Sequence, residues 1–316
     1  MEFVQLGLWF FYLALALFVL VRGSEMFLKG AQQIGTAFGI SGFAVGVMIV
    51  AFGTSLPELA SSIAAALNGT VEIVIANVVG SNITNILLVI GMLAVIGGRI
   101  VVTNELIKTE LPIFFIATAH FVVILYDGAV DRIEALLLLG TFSAYLWYLF
   151  SEGSKRKVVK VKKHTKIMIE WKTMMHVVVG IIGVLAGAHY TVEMTVNIAT
   201  ALLVPIGLIS VAAISLGTSL PELFVSLHAL RKGEVELAIG NIFGSNALNI
   251  LVVIGIPALI TPLVAEPVIM QVGLPILVAA SAIFFVIGLS RQVMRWEGIM
   301  MLLFFAFFIV KLISFV

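Results

Sequence analysis

Long apolar runs separated by short polar breaks fill almost the whole chain. Runs of roughly 20 residues, enough for a helix to cross a hydrocarbon core of about 30 Å, fall at about 3–22, 41–66, 71–97, 106–125, 132–150, 172–198, 204–230, 235–261, 268–289 and 296–315. This pattern predicts an all-α polytopic membrane protein with ten transmembrane helices. Two of the runs carry the same polar interruption, GTSLPE, at Gly53–Glu58 and again at Gly217–Glu222, 164 residues later. Glycine, two hydroxyls, proline and a carboxylate are poor choices for a helix in lipid, so the interruption needs a physical reason.

Composition agrees with the pattern. Of 316 residues 61% are hydrophobic and 11% charged, against about a quarter charged in soluble domains, and the mean hydropathy is +1.20. The first run follows Met1-Glu2 without a basic leader or a cleavage site, which predicts a retained span. The absence of cysteine excludes disulfides and thiolate metal sites. Orientation follows from the cations. The segment 151–166, SEGSKRKVVKVKKHTK, holds seven of the 18 Lys and Arg, and by the positive-inside rule it is cytoplasmic. Counting spans outward from it puts 16 of the 18 on that side, leaving only Arg132 and Lys311 outside. The expected layout is a first five-helix half (1–150), a basic cytoplasmic linker (151–171) and a second half (172–316). Both termini are then outside, in a cell membrane.

An ungapped self-alignment at the 164-residue offset pairs 53–91 with 217–255 and gives 23 identities in 39 positions. The matches include Gly, Asn, Ser, Thr, Pro and Glu, which chance likeness between apolar segments would not preserve, so the chain contains an internal duplication. Five spans per half is an odd number, and the second half therefore enters the membrane inverted. Inverted repeats are a transporter architecture with the site near the midplane where the halves meet. Glu58 and Glu222 both lie about 17 residues into their spans, so a two-fold axis in the membrane plane can bring them face to face.

Proline removes a backbone donor and clashes with the carbonyl four residues earlier, so the helix is expected to break at each GTSLPE and to free carbonyls around 51–54 and 215–218. Such backbone is tolerated at membrane depth only where it is buried in protein or lines a polar cavity. With the hydroxyls of Thr54, Ser55, Thr218 and Ser219 and two carboxylates, the freed carbonyls form an all-oxygen cage suited to hard cations such as Ca2+ and Na+. Asn77, Ser81 and Asn85, like Asn241, Ser245 and Asn249, recur at i, i+4, i+8 and line one helix face, offering neutral oxygens or interhelical hydrogen bonds. Gly80 and Gly244 allow close helix approach. Glu72 and Glu236, near the starts of their helices, complement the helix dipole. His120, His176, His189 and His228 have no repeated partner and are read as packing or interfacial residues.

The paired GTSLPE and GSN segments resemble the α-repeats of the cation/calcium exchanger superfamily, and most of all its microbial sodium/calcium exchangers. The resemblance implies that Glu58 and Glu222 are the central Ca2+ ligands, helped by the backbone carbonyls of Thr54 and Thr218. It implies that Ser55, Ser219, Ser81, Ser245 and the carbonyls at Ala51 and Ser215 match flanking Na+ ligands, and that spans one and six slide as a pair to open the site alternately to each side. Some members carry aspartate where this chain has Asn249. With Asn85 and Asn249 both neutral, a potassium-independent exchanger with a site charge of about minus two is expected, which one Ca2+ or two Na+ would neutralise. Ca2+ and Na+ are then transported substrates; no cofactor, nucleic acid or protein partner is implied. The nearest alternative is an H+-coupled antiporter of Ca2+ or another divalent cation, since a desolvated glutamate can carry a proton instead of Na+. An intramembrane hydrolase is disfavoured by the lack of HExxH and GxSxG motifs, and a passive channel by the inverted repeat.

Overall fold

The computed structural model describes residues 2–37, 50–101, 104–153, 170–204, 215–231, 233 and 235–315. These are predominantly helical. Six helical segments, Val4–Phe27, Glu72–Gly97, Trp171–Leu202, Ala238–Ile260, Ile269–Ser290 and Arg295–Ile313, are long and apolar enough to cross a membrane, and Leu56–Leu67 and Leu111–Asp127 are shorter apolar helices. The first helix, α1 (Glu2–Ala37), runs well past the span expected from the sequence. The expected second span appears as α2 (Ala51–Thr54) and α3 (Leu56–Leu67), and the seventh as α9 (Ser215–Thr218) and α10 (Leu220–Arg231). The leading parts of both predicted runs, 41–49 and 205–214, lie outside the described residues, as does most of the basic linker.

Between these come α4 (Glu72–Ile83), which continues through a π-helical turn at Thr84–Ile90 into α5 (Gly91–Gly97), then α6 (Asn104–Ile124), α7 (Arg132–Gly153) and α8 (Trp171–Leu202). The second half repeats the pattern: α11 (Val235–Leu248), a π-helical turn at Asn249–Val253, α12 (Gly255–Ile260), α13 (Leu274–Ser290) and α14 (Arg295–Ile313).

One correction to the all-α expectation is needed. Two short antiparallel pairings tie connections together: β1 (Arg99–Val101) with β4 (Gln292–Met294), and β2 (Ala129–Val130) with β3 (Leu263–Val264). Two or three residues carry too little periodicity to be read as strands, and each partner lies far away in sequence. The repeat offset of 164 carries Arg99 onto Leu263 and Ala129 onto Val293, so β1 corresponds to β3 and β2 to β4. The two pairings thus exchange with one another as a two-fold axis would require. Arg295 reinforces the first, its backbone N–H donating to Gly98 O at 2.9 Å and its Nε to Val95 O at 3.1 Å.

Lipid offers no hydrophobic drive for helix association, so close packing by small residues must supply it. The longest packed pair is α1 against α8, and its seam is glycine. Gly23 faces Gly180, Gly183 and Val184, and Gly187 lies against the backbone of Leu20. Elsewhere α4 and α11 run through the centre, nearly every described side chain buried. Phe243 of α11 stacks on Phe284 of α13 at 4.0 Å between ring centroids, and Phe114 of α6 meets Phe284 edge-on at 5.2 Å. This aromatic trio fixes one side of α11. Its other side faces α2 and α10.

Candidate cation site

Each GTSLPE segment forms a short helix, a one-residue interruption and a new helix. The break after Thr54 falls at Ser55 (φ −84°, ψ 2°), and Pro57 stands in the first turn of α3, where its missing N–H is harmless. The sequence reading attributed the break to proline in mid-helix; in the structure proline instead begins the following helix. Glu58 consequently lies in the first turn of α3, and Glu222 in the first turn of α10, the helix ends that favour an anion.

The two acids are fully buried, and the charge of Glu222 reaches Glu58. Hydroxyls approach from both halves. Thr218 stands near the Glu58 carboxyl, and Thr54, Ser55 and Ser245 stand near that of Glu222. None of them comes within hydrogen-bonding geometry of a carboxylate: among the described residues all four carboxylate oxygens, with Ser55 Oγ, Thr218 Oγ1 and Ser219 Oγ, are buried without a protein partner. Asn85 Oδ1 and Asn249 Oδ1 are buried and unpartnered in the same way.

The surroundings are well bonded by contrast. The Thr54 hydroxyl lies 3.0 Å from Asn241 Oδ1 and 3.2 Å from Ser245 Oγ, joining α2 of the first half to α11 of the second. Ala51, also buried, does not offer the orphan carbonyl expected from the sequence. Its oxygen accepts from Ser55 N at 3.0 Å, Thr54 Oγ1 lies 3.2 Å away, and Ser245 Oγ donates at 3.5 Å. The turn closes because Ser55, unlike Pro57, keeps its N–H. Ser81 Oγ donates to Asn77 Oδ1 at 3.3 Å. Ser215 opens α9; its side chain lies outside the described residues.

The polar stripe divides by role. Asn77 Nδ2 donates to Ser62 Oγ at 3.2 Å and Ser61 Oγ at 3.3 Å, and Asn241 Nδ2 to Ser226 Oγ at 3.2 Å, so this matched pair clamps α4 to α3 and α11 to α10. Asn85 and Asn249 lie at π-helical turns, where an i+5 bond from Ile254 N to Asn249 O, 3.2 Å, replaces the usual pattern. Such turns re-aim side chains and recur at functional sites.

Four residues of this neighbourhood were not singled out from sequence: Asn82, Asn246, Ser62 and Ser226. Each matches its counterpart at the 164-residue offset, which is the signal that would have found them. Of the histidines, His120 Nδ1 meets Thr141 Oγ1 at 3.4 Å between α6 and α7, and His189 lies 4.0 Å from Glu193 on the exposed face of α8. Among the described residues no three His, Cys, Asp or Glu cluster. The donor set is two carboxylates amid neutral oxygens, which suits hard cations and not soft metals.

Comparison with known proteins bears on this geometry. The sodium/calcium exchanger MaX1 of Methanosarcina acetivorans is 31% identical over an alignment of 346 positions, gaps included, that covers 96% of this chain and 98% of that protein. The solved sodium-calcium exchanger NCX_Mj soaked with 10 mM Na+ and zero Ca2+ superposes with a TM-score of 0.71 at 30% identity, covering 98% of this chain and 99% of that one. The same exchanger soaked with 2.5 mM Na+ and 10 mM Sr2+ gives 0.70, also at 30% identity, with coverage of 96% and 99%. The chain matches the family described as sodium/calcium exchanger protein over residues 8–151 and 172–314. With apolar helices throughout and this match on both sides of its basic linker, the chain is a polytopic membrane protein of the sodium/calcium exchanger family.

Proposed function

We propose that the chain is a secondary active antiporter exchanging Ca2+ for Na+ across the cell membrane by alternating access at a midplane site. The observation that carries this reading is the pair Glu58 and Glu222, two carboxyls from opposite halves, fully buried, with none of their four oxygens hydrogen-bonded among the described residues. A buried charge left unpaired is strongly unfavourable. The arrangement is therefore suited to a cation that binds both acids together.

In this reading Glu58 and Glu222, with the Thr54 and Thr218 carbonyls, hold Ca2+. Ser55, Ser219, Ser81 and Ser245, with the carbonyl at Ser215, hold Na+ on the flanks, and Asn85 and Asn249 contribute neutral oxygens; the Ala51 carbonyl, already engaged, drops out of the set. One Ca2+ and two Na+ each balance two carboxylates, so occupancy by one excludes the other and couples the two fluxes. The solved relative NCX_Mj was soaked with Na+ and Sr2+, a close stand-in for Ca2+, which supports the same substrates here.

The ten-span inverted arrangement is supported by the exchange symmetry of the two strand pairings and by the break after both Thr54 and Thr218, and its sidedness, both termini outside and 151–171 cytoplasmic, by the distribution of Lys and Arg. The glycine seam suits α1 and α8 to move as one body. That body sits unevenly on the rest: α8 packs along α3, whereas α1 meets α10 more sparsely, beside a groove of about 520 Å³ lined in part by Leu17, Phe18, Val21, Leu220 and Phe224. An uneven fit is what a two-position slide requires.

The test is flux. Proteoliposomes loaded with Na+ and diluted into Na+-free buffer containing 45Ca2+ should accumulate calcium, and K+-loaded vesicles should not. Uptake driven only by a proton gradient would transfer the chain to proton coupling and remove the Na+ assignments.

A further inference from the structure

Asn82, Asn246 and Asn249 form a chain of amides whose polarity can be read from one end. Asn82 Nδ2 donates to the backbone carbonyl of Asn246 at 3.2 Å. A carbonyl only accepts, so that end of Asn82 must be its NH2 and the other end its oxygen. Asn82 Oδ1 in turn lies 3.2 Å from Asn249 Nδ2, and by the same rule Asn249 must present its NH2 there. The Asn249 oxygen is thereby left over, buried and without a donor. The other half lacks this anchor. Asn85 Nδ2 donates to Asn246 Oδ1 at 3.2 Å, but Asn246 Nδ2 has no partner, so nothing in the backbone fixes which way that amide pair points.

We propose that Asn82 is a positioning residue that locks the Asn249 amide with its nitrogen engaged and its carbonyl oxygen open to a cation, making Asn249 the better oriented of the two matched asparagines. The proposal rests on the cation site described above. Without Asn82 the Asn249 amide is free to turn, and a turned amide offers a cation two N–H groups in place of an oxygen.

The experiment is equilibrium 45Ca2+ binding to the purified full chain in two backgrounds. In the wild type, Asn82→Ala should weaken binding by about tenfold or more, the usual effect of losing a partner that orients a metal ligand. In an Asn249→Asp background the same substitution should cost no affinity, because a carboxylate has no N–H end to turn toward the ion. An equal loss in both backgrounds, or no loss in the wild type, overturns the proposal. If Asn82→Ala does not fold, Asn82→Leu, of similar volume, carries the same comparison. Glu222→Gln is measured alongside: full binding there would remove the site reading itself, whereas lost binding there with equal Asn82 losses removes only the role of Asn82.

Discussion

The α1–α8 seam can be probed one methyl at a time. A methyl on Gly187 would lie 2.6 Å from Leu20 N and 2.7 Å from Leu20 Cα, and one on Gly180 would lie 2.5 Å from Phe27 N and 2.8 Å from Gly23 O. Carbon atoms rest about 3.5–4.0 Å apart, so α1 would have to retreat by roughly 1 Å, and the obstacle is backbone that cannot turn aside. Overpacking of this size costs about 1–3 kcal/mol, only partly offset by the roughly 1 kcal/mol that alanine gains over glycine in a helix. Gly183 is the internal comparison, since its added methyl would meet Gly23 Cα at 3.1 Å and nothing else nearer than 3.6 Å; Gly140 on α7 is the blank, with nothing within 4 Å. Melting in detergent should therefore rank the variants. Gly180→Ala and Gly187→Ala should each lose roughly 2–5 °C, Gly183→Ala should fall within about 0.5 kcal/mol of wild type, and Gly140→Ala should be neutral or better. A Gly187→Ala protein as stable as wild type, or a Gly140→Ala protein equally damaged, would refute the reasoning. If the pair moves as one body, 45Ca2+ uptake should follow the same order.

Glu58→Gln and Glu222→Gln keep side-chain volume but remove one of two site charges; each should cut 45Ca2+ uptake by about two orders of magnitude or more in a protein that still elutes as a folded species, and wild-type uptake by either would remove the carboxylates from the site. Asn249→Asp adds a third carboxylate and should change the Na+ or K+ dependence of uptake while Ca2+ binding persists; an unchanged ion dependence would strike Asn249 from the ligands. Thr54→Val removes the hydroxyl that joins Asn241 and Ser245 and should cost about 1–2 kcal/mol of stability, whereas Thr218→Val, whose hydroxyl has no protein partner, should melt close to wild type. Equal destabilisation of the two would contradict that difference.

Much of this protein was legible in one dimension because lipid imposes a one-dimensional rule: a spanning helix must be apolar for about 20 residues. The duplication was legible too, since a self-match at 164 residues survives in polar positions that lipid alone would never select. That match by itself singles out Glu58 and Glu222 and the hydroxyls around them. Where the helices break was decided by tertiary structure. Proline marks the neighbourhood, but Ser55 keeps its N–H and closes a turn on Ala51 O, so the interruption falls before Pro57 and Ala51 O is not free. The two strand pairings and the amide chain from Asn246 through Asn82 to Asn249 were equally hidden, because their partners lie 128 to 200 residues apart or nearly so, as the contacts of Arg132 with Ile260 and Arg295 with Val95 illustrate. Local pattern sets which residues are polar. Only the meeting of two halves, each supplying donors that the other lacks, decides which of those polar atoms are bonded and which are left open.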